Sequence, residues 1–146
     1  MNWPAQAIAL AAAVAAGLLI GIERGWKLRE VPEGFRVAGV RTFTLLGLAA
    51  GVAGSLARAG QALAGGALVL SAGTIIALGY LFSLRQQQPS DATSAVAAVT
   101  TLALGFLAGS GSPALAVAGA AVVTMVLALR TEAHGLIDRL DGQDVK

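Results

Sequence analysis

The feature that most constrains this chain is the length of its charge-free stretches, which leave ionisable side chains in only a few short segments. No Asp, Glu, Lys, Arg or His occurs in four long runs, 1–22, 42–57, 59–84 and 92–129. A transmembrane helix needs about 20 mainly apolar residues, and 56% of this chain is hydrophobic while only 12% is charged. We therefore expect an all-α, polytopic bundle of transmembrane helices.

The last charge-free run is too long for a single crossing of the bilayer. Its Gly-Ser-Gly-Ser-Pro segment at 109–113 predicts a turn followed by the start of a new helix. Two of the predicted helices, 41–56 and 93–108, are short for a membrane crossing. About 16 helical residues rise only about 24 Å, whereas the hydrocarbon core is about 30 Å thick. We expect neighbouring helices to shield them, and all of 1–146 to form one membrane domain. The five predicted spans are 5–22, 41–56, 62–84, 93–108 and 113–129.

The basic residues predict the orientation of this five-span bundle. Nine of the ten Lys and Arg residues fall on one side of the membrane, and Arg58 alone falls on the other. Because basic loops are retained in the cytoplasm, we expect the N-terminus outside and the C-terminus in the cytoplasm. The first basic residue, Arg24, follows the first apolar run instead of preceding it, so we expect that helix to be retained and not cleaved as a signal peptide.

Composition and residue types exclude several classes of function. The net charge of +2 and the pI near 9.7 come from basic residues beside apolar spans, so lipid explains them and nucleic-acid binding is not expected. The chain has no Cys, and its one His, His134, lies in the tail, which argues against zinc, haem and iron–sulfur cofactors. It shows no nucleophile with an adjacent base and no phosphate-binding glycine loop, so we do not expect an enzyme.

Small residues predict where the helices touch, because helices in lipid associate where Gly and Ala let their backbones approach. We interpret each stripe of small residues as intramolecular packing or as a dimer seam. The stripe of the first helix is our preferred seam, and a homodimer is the favoured oligomer. The stripes, at four-residue spacing, are Ala13, Gly17, Gly21 and Gly25 in the first helix, Gly47 and Gly51 in the second, and Gly105 and Gly109 in the fourth.

Half of the basic residues lie in the segment 23–41, which begins with an unexpected acidic residue. Glu23 is predicted near the C-terminal end of the first helix, where the negative end of the helix dipole disfavours a carboxylate. Lys27, four residues on, is one partner for it. Arg41, at the start of the second helix, is the stronger candidate. Three interpretations stay open: a charged rim that sets the topology, a structural ion pair, and a functional ion or regulatory site.

A second acidic candidate precedes the fourth helix. Either Asp91 or Thr93 can cap the exposed amides at the start of this helix. The alternative is that Asp91 joins Glu23 in a cation-binding site for a hard cation such as Mg²⁺, which needs only one or two carboxylates.

Two segments of the chain resemble the signature of the MgtC/SapB family. The resemblance implies functional positions at Glu23, Arg24, Arg41 and Thr42. The chain departs from the family at Asp91, where relatives often have Gly. The segments are Gly17-Leu18-Leu19-Ile20-Gly21-Ile22-Glu23-Arg24 and Ala38-Gly39-Val40-Arg41-Thr42.

The resemblance implies a multi-pass protein of the bacterial inner membrane with a role in Mg²⁺ homeostasis, in which Mg²⁺ is the transported or sensed ion. The first interpretation is a small homo-oligomeric cation transporter. The alternative is a regulator without transport activity that binds a membrane partner such as the F-type ATP synthase. Only 131–146 is expected to follow the last span, so we do not expect the activities of the cytosolic C-terminal domain that some members carry.

Overall fold

A computed structural model describes residues 3–27, 38–85 and 92–141, with side chains described up to residue 129. Every element in these ranges is an α-helix, as predicted. The five helices are α1 (Trp3–Lys27), α2 (Val40–Arg58), α3 (Ala62–Arg85), α4 (Ala92–Gly109) and α5 (Pro113–Asp141).

Four of the helices, α1 to α4, are long and apolar enough to cross a membrane. The two that we expected to be short, α2 and α4, have 19 and 18 residues, and 18 helical residues rise about 27 Å, close to the thickness of the hydrocarbon core. The apolar part of α5, Pro113–Leu129, is shorter. A fifth crossing and the orientation of the bundle therefore stay predictions.

The centre of the bundle is α2, which packs against α1, α3 and α4. On the other side, α5 packs against α1 and α4. The shared core combines two large side chains that are fully buried, Ile20 and Phe43, with many alanines. Because alanine adds little bulk, the helix axes can approach closely, as the small-residue pattern predicted.

The helix α3 lies at the edge of the bundle and packs mainly on α2. Among its described residues only Gly65 and Ser83 are buried. Leu63, Leu70 and Ile75 are largely exposed. In a bilayer such an apolar surface faces lipid or another protein.

A candidate functional site at the charged end of the bundle

Two exposed tryptophans mark the two ends of α1. Trp3 is 73% exposed and Trp26 is 70% exposed, and 23 helical residues separate them by about 35 Å. That distance is the thickness of a hydrocarbon core plus part of its interfaces, where Trp side chains concentrate. Glu23 lies one turn before Trp26, so its position at a membrane boundary stays a prediction with which this spacing is consistent.

At this boundary Glu23 forms a two-pronged ion pair with its neighbour Arg24. The Nε of Arg24 donates to one carboxylate oxygen at 2.5 Å, and Nη2 donates to the other at 2.8 Å. The Arg24 side chain is 1% exposed and the Glu23 side chain 11%. Each carboxylate oxygen therefore accepts a hydrogen bond from a buried guanidinium, which is the strong, bidentate form of this interaction.

Arg24 is buried because it continues the inner face of α1. At about 100° per residue, Arg24 lies only about 20° around the helix axis from Gly17, which packs on α2, whereas Gly25 has drifted by about 80°. Gly25 is accordingly half-buried. Counting every fourth residue placed Gly25 on the inner face of α1 and did not predict that Arg24 is buried. The angle of about 100° per residue, counted from Gly17, would have predicted it.

The expectation that Arg41 is the stronger partner of Glu23 was wrong. We expected Arg41 or Lys27, but in the structure the Glu23 carboxylate is held by Arg24. Neighbours on a helix normally do not face each other. Arg24 points inward, but its side chain is long enough for the guanidinium to reach back to the carboxylate of Glu23.

Arg41 and Thr42, the other two positions that the resemblance marked, lie in the first turn of α2 and are exposed. A cation at this end of a helix is opposed by the positive end of the helix dipole. Arg41 therefore does not stabilise α2 through the dipole. Its exposure leaves it available to lipid or to another protein.

The structure does not test the predicted cation site in full. Asp91 lies outside the described residues, and metal binding stays a prediction. Within the described parts of the chain, no group of three or more His, Cys, Asp or Glu side chains could hold a metal ion. Glu23, the other proposed ligand, has both oxygens on Arg24.

The predicted glycine stripes lie between helices of the same chain. A Cβ at Gly17 would collide with the carbonyl oxygen of Phe43, and a Cβ at Gly47 with that of Ala13, so α1 and α2 contact through their backbones. Between α2 and α4, a Cβ at Gly105 would collide with the carbonyl oxygen of Gly47. A Cβ at Gly109 would likewise collide with the backbone of Gly51. Between α1 and α2, a Cβ at Gly21 would be crowded by Val40 and Phe43.

These contacts correct the expectation of a dimer seam on α1. The face that carries Ala13, Gly17 and Gly21 is covered by α2, so it is not available to a second copy of the chain. The interpretation of the stripes as intramolecular packing is confirmed for these positions. A homodimer through another surface stays a prediction.

Comparison with known proteins agrees with the resemblance seen in the sequence. The model of the MgtC family matches residues 10–136. The match covers most of the chain and includes the Glu23–Arg24 pair and the exposed start of α2. No curated protein and no solved structure gives a significant match.

Proposed function

Because this chain belongs to the MgtC family, we propose that it serves Mg²⁺ homeostasis in the bacterial inner membrane as a regulator that binds a membrane partner and does not carry the ion. The pairing of Glu23 with Arg24 supports this proposal more than any other observation. Mg²⁺ holds its water tightly and is usually bound in proteins through one or two carboxylates. A carboxylate whose two oxygens accept hydrogen bonds from a buried guanidinium is a poor ligand for it.

The interior of the bundle offers little to a cation in transit. The runs 1–22, 42–57, 59–84 and 92–129 contain no acidic residue, and ion pathways through membranes are usually marked by such residues. Several hydroxyls in the spans donate to a carbonyl four residues earlier in their own helix, including those of Thr100, Thr101 and Thr124. The hydroxyl hydrogens of these side chains are used within their own helices and do not line a polar path.

The exposed start of α2 is the surface that we assign to the partner. Arg41 and Thr42 belong to the family signature, yet neither is buried, so their packing within the bundle does not explain them. We attribute the exposure of this arginine, which works against its own helix dipole, to a contact outside the chain. The family resemblance supplies the F-type ATP synthase as the candidate partner.

A photo-crosslinking amino acid in place of Thr42 tests this assignment in cells that depend on the protein for growth at low Mg²⁺. We expect a crosslink to a membrane subunit of the ATP synthase. The same amino acid in place of Leu63, which is 92% exposed at the other end of the bundle, is the control and should give no such product. Crosslinking of the synthase from both positions, or normal growth with no crosslink from position 42, would count against the proposal.

Transport by a homo-oligomer is the second candidate, and one observation favours it. The exposed face of α3 carries two hydroxyls, those of Ser71 and Thr74. Several copies that brought these faces together around an axis would line a pore with hydroxyl and carbonyl oxygens. This candidate requires ion flux, which the regulator does not.

A further inference from the structure

A cavity of about 260 Å³ opens at the end of the bundle opposite the Glu23–Arg24 pair. It lies between the first turns of α1 and the last turns of α2 and α4. Its polar lining comes from Gln6, Ser55 and Arg58, and its apolar lining includes Ala5 and Ala9. Pockets for drug-sized ligands are about 300 to 1,000 Å³, so this one is suited to a smaller group.

The cavity holds a positive charge that no acidic side chain of this end can balance. Arg58 is the only charged residue in 42–84, and neither 1–22 nor 92–129 contains any. Among the described residues, Arg58 has neither an ion-pair partner nor a hydrogen bond from its guanidinium. Arg58 is exposed, so an anion that pairs with it would come from outside the bundle.

Arg58 is not needed to satisfy the nearby helix ends, because two glycine turns already do so. After α2, Gly60 with φ 84° places its amide on the carbonyl of Ala57 at 3.1 Å. After α4, Gly111 with φ 114° does the same for Ala108 at 3.1 Å. Such left-handed turns are the usual way to satisfy terminal carbonyls. A Cβ at Gly111 would meet the Arg58 guanidinium, so the guanidinium lies close to this turn. Its N–H groups donate to no acceptor among the described residues, which leaves them for a ligand.

The cavity lies at the level of the lipid headgroups. Trp3, an exposed tryptophan of the kind that marks a membrane interface, is one helical turn before Gln6. A guanidinium matches a phosphate with two parallel hydrogen bonds, and the Gln6 amide adds a further donor. Ser55 donates its hydroxyl to the carbonyl of Gly51 at 2.9 Å, so it offers only an acceptor.

We propose that this cavity binds a phosphate group through Arg58 and Gln6, with the phosphate belonging to a phospholipid headgroup or to a soluble phosphate. The alanine walls suit the glycerol part of a phospholipid. The site is separate from the charged end of the bundle, so it does not depend on the regulatory role.

Tryptophan fluorescence gives a direct test, because the chain has only two tryptophans. In a Trp26→Phe background, Trp3 is the sole reporter beside the cavity. The detergent-solubilised protein is titrated with a short-chain phosphatidylglycerol and, separately, with inorganic phosphate. We expect a saturable change that Arg58→Gln weakens at least tenfold and Gln6→Leu about threefold. The control is Arg85→Gln, an exposed arginine at the other end, which should bind like the parent.

The two titrations distinguish the two sources of the phosphate group. Saturable binding of the lipid alone identifies a headgroup site, and saturable binding of inorganic phosphate as well identifies a site for soluble phosphate. Arg58→Lys keeps the charge without the planar fork, so it should bind more weakly than the parent but more tightly than Arg58→Gln if both fold. Equal affinity in the parent, Arg58→Gln and Gln6→Leu, or no saturable change in the folded parent, would overturn the assignment.

Discussion

At the scale of single residues, Arg24 stands out because it is the largest fully buried side chain described in the bundle, and it is charged. A buried charge is tolerated only with a partner that satisfies it. Glu23 is that partner, and it holds the guanidinium with two hydrogen bonds. The pair therefore holds the Arg24 side chain in place at the end of α1.

Replacing Glu23 with Gln should destabilise the protein strongly, because the buried Arg24 would lose the carboxylate that accepts two of its hydrogen bonds. Breaking a buried pair from one side typically costs about 3 to 5 kcal/mol. The double variant Glu23→Gln with Arg24→Gln removes both charges and should be more stable than Glu23→Gln alone. Thermal unfolding in detergent measures both. Equal stability of the wild type and Glu23→Gln would show that the pair is dispensable.

Arg41→Gln should leave stability within about 0.5 kcal/mol of the wild type, since Arg41 is exposed. Growth at low Mg²⁺ should nevertheless fall, because the proposed partner contact is lost. Arg85→Gln removes another exposed arginine and should change neither property. The assignment to a partner surface would be wrong if Arg41→Gln supported normal growth.

The residues of the site could be predicted only in part. The resemblance marked all four positions, but charge and spacing alone paired Glu23 with Arg41. That error has a physical cause, since the pairing depends on which side chain points inward, and the inward direction follows from the α1 contact with α2. Residues four positions apart rotate by about 40° around the helix axis at each step, so after three steps they have left that face. Counting the angle of about 100° per residue avoids this error.

At the scale of helices, backbone contact holds α1, α2 and α4 together. Gly47 serves two interfaces at once: its own Cβ position is blocked by Ala13 of α1, and its carbonyl blocks the Cβ position of Gly105 in α4. Adding one methyl group here forces two helices apart. The arrangement explains why small residues dominate these faces.

Gly47→Ala should therefore destabilise the bundle by about 1 to 3 kcal/mol, the usual cost of overpacking a filled core. The matched control is Gly73→Ala in α3, where an added Cβ meets nothing within 4 Å. That change should be neutral or stabilising by up to about 1 kcal/mol, because Ala favours a helix. Thermal unfolding compares the two, and equal melting temperatures would refute the close approach at Gly47.

The helices themselves could be predicted well, and their ends less well. The five helices fall where the charge-free runs predicted them. The first, however, continues to Lys27, five residues beyond the predicted end at Ile22. Charge marks where the hydrocarbon ends, but backbone hydrogen bonding continues into the interface. The spacing of small residues could not predict which helix packs on each face. A stripe of small residues fits a neighbouring helix of the same chain as well as a helix of a second copy.

At the scale of the whole molecule, the orientation of the bundle is open to direct measurement, because the natural chain has no cysteine. In Gln61→Cys the thiol lies between α2 and α3, and we expect a membrane-impermeant maleimide to label it in intact cells. In Arg85→Cys the thiol lies at the other end of α3, and we expect labelling only after permeabilisation. The reverse pattern would invert the topology and place the Glu23–Arg24 pair outside.

We infer that this MgtC-family chain serves Mg²⁺ homeostasis without carrying Mg²⁺, because the carboxylate of Glu23 is paired with Arg24. Mg²⁺ flux is best measured into liposomes that hold the purified, folded protein, with an established Mg²⁺ channel in the same lipid as the positive control. We predict flux equal to that of protein-free liposomes. Saturable Mg²⁺ flux that a folded Glu23→Gln variant loses and Arg85→Gln retains would contradict the account and identify a transporter.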